Sequence, residues 1–375
     1  MGSSASEQAK PGDGGRKRPL WQRLVMTVAW LCVSAALILR MASGVRWDEF
    51  KERLAEASLA LMLLCGAFHF VGYLITTLRW KVLLAGQGYH VRYWPLLFSW
   101  VGAGFFNAFM PGIVGGDVLL MYYSARFIGD GYRTAPVVFI CRITGLAALI
   151  MICAVAVLFK LSTLLAAREG LAMFWLFPSL FALGLIALVI AVQPRVAASI
   201  ERALDRVPFG GKFKVIFKAF RVYRERRKHL LAAVGLAVLF QCNVILYYYA
   251  CTVALGFGTS AIDVFAGAPI VVMLMMLPIS FGGIGVRAWG FKMLVGITSV
   301  QSLLIETLDV AWRYVCGLLG LAVFLARLVR PPQPGRWLIS KEEIAVPDLS
   351  EFARGLTSEA AAAVSREATD GTDGL

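Results

Sequence analysis

Two segments break hydrophobic helices with glycine, proline and charge: Asn107-Ala-Phe-Met-Pro-Gly-Ile-Val-Gly-Gly-Asp117 and Leu277-Pro-Ile-Ser-Phe-Gly-Gly-Ile-Gly-Val-Arg287. Several apolar runs in this chain reach the roughly 20 residues needed to cross a hydrocarbon core about 30 Å thick. Inside such a core every backbone amide and carbonyl needs a partner within the protein or in a wet cavity. A broken helix is costly there, and membrane proteins place such breaks where a polar or charged cargo binds. Hydrophobic residues make up 59% of the 375-residue chain and charged ones 16%, which identifies a bilayer as its solvent.

The formal charge of +14 invites a nucleic-acid reading. Most Lys and Arg, however, sit in short loops beside apolar segments, as the positive-inside rule expects, so no nucleic-acid partner is indicated. The seven cysteines fall inside apolar stretches with no CxxC pair, so neither a disulfide framework nor a zinc site is indicated. His69, His90 and His229 are too scattered for a metal centre. The sequence nominates no cofactor.

The apolar segments are roughly 21–39, 58–78, 94–110, 114–125, 134–159, 171–192, 230–256, 263–281, 285–298 and 303–328. Between the first two, Trp47, Phe50 and Leu54 recur at helical spacing among charges, the pattern of a short amphipathic helix on a membrane surface. The segment 195–229 carries eleven Lys/Arg against three acids and is expected to be a cytoplasmic loop. Its Phe213, Ile216, Phe217 and Phe220 form an apolar stripe, read either as a basic helix on anionic lipid or as a merely topogenic loop.

Charge parity then sets the topology. Arg16, Lys17, Arg18 and Arg23 place the N-terminus in the cytoplasm; Arg79, Lys81 and Arg92 do the same for the next loop, and Arg327, Arg330 and Arg336 for the C-terminal flank. These agree with a cytoplasmic 195–229 only if 94–125 enters and leaves on one side. The same holds for 263–298 on the outer side. The expected fold is all-α: about six spanning helices plus two oppositely oriented re-entrant hairpins, each folding at one broken motif. Residues 1–19 are expected to be a disordered cytoplasmic lead-in and 20–328 the transmembrane domain. Residues 329–375, after the Pro331-Pro332 stop, are expected to form a polar, largely disordered cytoplasmic tail. The location expected is the inner cell membrane.

Within the apolar segments stand Arg142, Arg287 and Arg313, with Glu306 and Asp309 on the last span. An unpaired arginine at the bilayer centre costs at least about 2.5–3.5 kcal/mol, so each should face protein or a wet cavity. Asp309 and Arg313, spaced i,i+4, can pair on one helix face. Asp117 is the candidate partner for Arg142, and Asp309 or Glu306 for Arg287. One reading has the three arginines lining a cavity for an anionic head group, since guanidinium forks match phosphate. Asn107, Asp117, Gly115, Gly116, Ser280, Gly282 and Gly283 of the broken motifs would complete it. The other has them as structural salt bridges holding the hairpins. The two are compatible.

No Walker loop, HExxH or GxSxG elbow is present, and Ser280 has no nearby histidine to act as its base. A non-enzyme is expected.

At these residues the chain resembles the transmembrane region of the lysylphosphatidylglycerol synthase/flippase family. The matching stretches are Leu78-Arg-Trp-Lys81, Phe106 to Asp117, Arg142 followed by Gly145, Leu277 to Arg287, and Arg313. The resemblance covers about 20–328. It implies a membrane module related to lipid flipping; the family's separate aminoacyl-transferase domain has no counterpart here, so lysyl transfer is not implied. Two departures stand out: Cys141 replaces an acid common just before the intramembrane arginine, and Ala288 replaces a glutamate common after Gly-Val-Arg. Both remove negative charge, which points away from a cationic lipid and toward an anionic phospholipid or a polyprenyl-phosphate carrier. The expected partners are membrane lipids, with a partner enzyme or a second copy of the chain left open. The competing class is a non-transporting scaffold for a lipid-modifying or glycosyl-transferring enzyme.

Overall fold

The computed structural model describes residues 46–109, 114–128, 134–166, 226–276, 283–329 and 335–341, with a few isolated positions besides. The expected spans at 21–39 and 171–192, most of the basic loop and residues 342–375 lie outside the described residues. So do the apices of both broken motifs.

The described chain runs as α1 (Trp47–Glu56), α2 (Leu59–Gly86), β1 (Tyr89–Val91), α3 (Tyr93–Phe109), α4 (Val114–Ile128), α5 (Ala135–Ala166), α6 (Arg227–Ala254), α7 (Ala261–Met276), α8 (Val286–Leu294), α9 (Ser299–Val329) and β2 (Leu338–Lys341). Four of these helices, α2, α5, α6 and α9, contain stretches long and apolar enough to cross a membrane. The protein is a helical, polytopic membrane protein.

The helices at the broken motifs are shorter. α3 has 17 residues and α7 has 16, each about 25 Å long and so short of a 30 Å hydrocarbon core. α3 packs on α4, and α7 on the 9-residue α8. Each broken motif therefore joins two short helices that fold against one another.

The buried apolar residues show where these two pairs sit. One core cluster gathers Trp80, Leu83 and Leu84 of α2 with Leu96 and Ala103 of α3, Leu120 and Phe127 of α4, and Ile140 of α5. The other gathers Cys65 of α2 with Tyr248 and Cys251 of α6, Val271 of α7, Phe291 of α8 and Leu304 of α9. Cys65 and Trp80 lie about 22 Å apart along their helix. Each short pair thus builds a core at one end of the bundle, the arrangement that two oppositely oriented hairpins require.

α9 runs between the two ends. Its first half contributes Leu304 and Leu308 to the α7–α8 core. Near its last turn, Arg327 donates to Ser99 Oγ and Pro95 O of α3, both at 2.7 Å, with its guanidinium over the Tyr123 ring of α4. In between, Gly320 admits the α3 backbone: a Cβ there would stand 2.3 Å from Val101 O.

One sequence expectation changes and two others gain detail. Arg79 and Lys81 are not in a loop, because α2 continues to Gly86. The apolar stripe of Trp80, Leu83 and Leu84 carries the helix past the charges. The tail after the proline stop begins with order: β2 pairs antiparallel with β1, Tyr89 opposite Lys341 and Val91 opposite Leu338. This two-stranded ribbon is the only sheet among the described residues. Finally, the basic segment docks at its end. Tyr223 is fully buried and donates to Leu83 O at 2.6 Å, and α6 begins at Arg227. In α1, Phe50 packs on the protein core while Trp47 stays about half exposed.

Candidate functional site

Among the described residues, the buried polar groups gather in two charge clusters and along a largely apolar cavity. The first cluster lies at the α3–α4 end. Asp117 is in the first turn of α4, where a carboxylate is favoured by the helix dipole. Its Oδ2 accepts from Arg142 Nε at 3.0 Å and Nη2 at 2.5 Å. Arg142 sits in the second turn of α5, with its side chain 41% exposed and that of Asp117 15%. Asn107, near the end of α3, reaches across the break: its Oδ1 accepts from the Gly116 amide at 3.2 Å. Gly116 must be glycine for this contact, because a Cβ would stand 2.4 Å from that oxygen. Gly115 lies in the same first turn.

Arg79, expected from its neighbours to be a loop charge, belongs to this cluster. It is 7% exposed and donates from Nη2 to Cys141 Sγ at 2.9 Å. Its charge also reaches Asp117. A helical signal was available: Thr76, Arg79 or Trp80, and Leu83 follow the i, i+3/i+4, i+7 spacing of one face.

The second cluster joins α8 to α9. Gly283 and Gly285 take φ of +79° and +81°, values that favour glycine, and turn the chain into α8. Arg287 then lies fully buried in the first turn of α8. Its Nη1 meets Glu306 Oε1 at 3.1 Å and Asp309 Oδ2 at 2.8 Å. Glu306 Oε2 also accepts from the Ala288 amide at 3.0 Å, so one carboxylate serves both the guanidinium and an orphan amide at a helix start. Arg313 Nη2 donates to Asp309 Oδ2 at 3.0 Å. Both expected partners of Arg287 are engaged, and so is the i,i+4 pair.

A cavity of about 250 Å³ lies between α2, α3, α6 and α9. His69, Tyr73, Asn107, Asn243, Tyr247 and Asp309 supply its polar lining, amid aromatic rings. It touches Asn107 of the first broken motif and Asp309 of the second cluster. Of the nominated residues, these two line it. Arg142, Arg287 and Arg313 do not, because their guanidiniums are turned to Asp117, Glu306 and Asp309. Ser280 and Gly282 lie outside the described residues. Among the described residues no group of His, Cys, Asp and Glu has the arrangement to hold a metal ion.

Spanning helices, two broken short pairs at opposite ends of one bundle, and ion pairs buried at their roots define a polytopic membrane protein of the inverted-hairpin kind. Residues 27–331 match the family described as the lysylphosphatidylglycerol synthase TM region, and the chain belongs to that family. No curated protein matches it.

Proposed function

We propose that this protein binds an anionic lipid, of phospholipid or polyprenyl-phosphate type, and moves it between the leaflets of the inner membrane without catalysing a covalent reaction. Both termini are cytoplasmic in this reading. The observation that supports it best is a largely apolar cavity with a few polar side chains inside the bundle, bounded by Asn107 of one broken motif and by Asp309, which is paired to Arg287 of the other. At about 250 Å³ it suits a head group and not a whole lipid, so the acyl chains stay in the bilayer. The aromatic walls argue against a freely hydrated ion path.

The arginines serve in this mechanism by exchange. A phosphate competes with Asp117 for Arg142 and with Asp309 for Arg313, whose side chains are 41% and 24% exposed. Arg287, wholly buried between two carboxylates, anchors α8 to α9. The test is translocation of a fluorescent phosphatidylglycerol in proteoliposomes. Wild-type protein should accelerate it, and Arg142→Ala and Arg313→Ala should each lower the rate about tenfold or more, the loss of one charge-assisted contact. Full activity in both variants, folded and inserted normally, would sink the proposal.

A further inference from the structure

Arg79 differs from the other intramembrane arginines in what it meets. Arg142 has a carboxylate, and Arg287 has two. Arg79, nearly as enclosed as Arg287 and far more so than Arg142, has a thiol. A neutral thiol is a weak acceptor and brings no countercharge. Among the described residues the Nε and Nη1 of Arg79 have no hydrogen-bond partner. The carboxylate within electrostatic reach, Asp117, is already held by Arg142.

The two clusters are therefore unequal. Around α8, Arg287 and Arg313 face Glu306 and Asp309, and the charges cancel. Around α4, Arg79 and Arg142 share Asp117, and among the described residues one positive charge is left over. A buried guanidinium without countercharge is unfavourable unless an anion completes it. Nε and Nη1 of Arg79 are both enclosed: α5 packs against Nη1 at Gly145, where a Cβ would stand at ordinary contact distance, 3.5 Å, so a phosphate reaches them only as neighbouring side chains give way.

Resting on the functional reading above, we propose that Arg79 seats the phosphate of the lipid head group. Phosphoryl oxygens accept the free Nε–H and Nη1–H groups, and the phosphate enters from the side on which Arg142 is exposed. Cys141 is the determinant of this selectivity, because its neutrality leaves the positive charge for the ligand. A carboxylate at 141 would satisfy Arg79 internally and close the site to anions.

The experiment measures binding of dioctanoyl phosphatidylglycerol to the purified full chain in neutral detergent, with inorganic phosphate as competitor. Cys141→Ser, which stays neutral, should bind like wild type. Cys141→Asp and Arg79→Gln should each weaken binding about tenfold or more, the loss of one charge-assisted contact. Cys141→Asp should melt no lower than wild type, because it pairs a buried cation; this separates lost binding from lost folding even if Arg79→Gln folds poorly. Unchanged affinity in Cys141→Asp overturns the assignment and leaves the functional reading intact. Competition by inorganic phosphate as potent as the lipid itself assigns the seat to a soluble phosphate and overturns the lipid form. Wild-type protein that binds no anionic lipid overturns the functional reading, and this assignment with it.

Discussion

Arg287 and Arg142 illustrate how two intramembrane arginines with similar sequence contexts acquire different roles. Arg287 is completely buried and holds two acids and, through Glu306, the start of α8. Removing one member of such a set leaves an uncompensated buried charge, a loss of about 3–5 kcal/mol. Glu306→Leu should therefore lower the denaturation midpoint in detergent sharply. Arg287→Leu with Glu306→Leu together should recover part of that loss, because Arg313 still neutralises Asp309. Arg142 is 41% exposed, and partly exposed pairs contribute only about 0–1 kcal/mol. Arg142→Ala should accordingly leave the thermal midpoint nearly unchanged while lipid translocation falls. A midpoint that drops as far for Arg142→Ala as for Glu306→Leu would make both arginines structural. The pairings of Arg142, Arg287 and Arg313 were legible in the sequence because an intramembrane cation must find an anion. Arg79 was not. Its partner is a thiol, which no charge argument selects, and its neighbours Lys81 and Arg92 made a loop seem natural.

At the scale of elements, the short pairs and their neighbours were readable from where apolar periodicity stops and glycine, proline and charge intervene. Their ends were less so: α2 runs eight residues beyond the expected 78, because its buried stripe outweighs the charges of Arg79, itself buried, and Lys81. The ribbon of β1 and β2 was invisible, since three- and four-residue strands far apart in sequence carry too little pattern. The bonds that hold α3–α4 against α9 belong to this scale as well. Gly320→Leu places a side chain where the Val101 carbonyl stands 2.3 Å from a Cβ, so the helices must separate. Such overpacking costs about 1–3 kcal/mol or more. The expected outcome is loss of the monodisperse peak on size-exclusion chromatography, with Gly235→Leu, which meets nothing within 4 Å, as a tolerated control. Equal behaviour of the two variants would remove Gly320 from the account.

The whole molecule is organised by its two ends. Trp94 stands 65% exposed at the base of α3 and Ile262 52% exposed at the start of α7. In a cysteine-free background, Trp94→Cys should react with an impermeant thiol reagent from the cytoplasmic face, and Ile262→Cys from the opposite face. Labelling of both from one side would refute the opposed hairpins. Charge parity predicted this arrangement from the loops, and the separate cores around Trp80 and Cys65 give it a packing basis. What charge counting could not supply is the cargo, since a cavity of about 250 Å³ records a head group's size and polarity but not its name. Mass spectrometry of the lipids retained by the purified protein, set beside Arg142→Ala, addresses that directly. Anionic phospholipid or polyprenyl phosphate enriched over the bulk membrane, and depleted in the variant, is the predicted result. Retained lipid that matches the bulk composition in both proteins would contradict it.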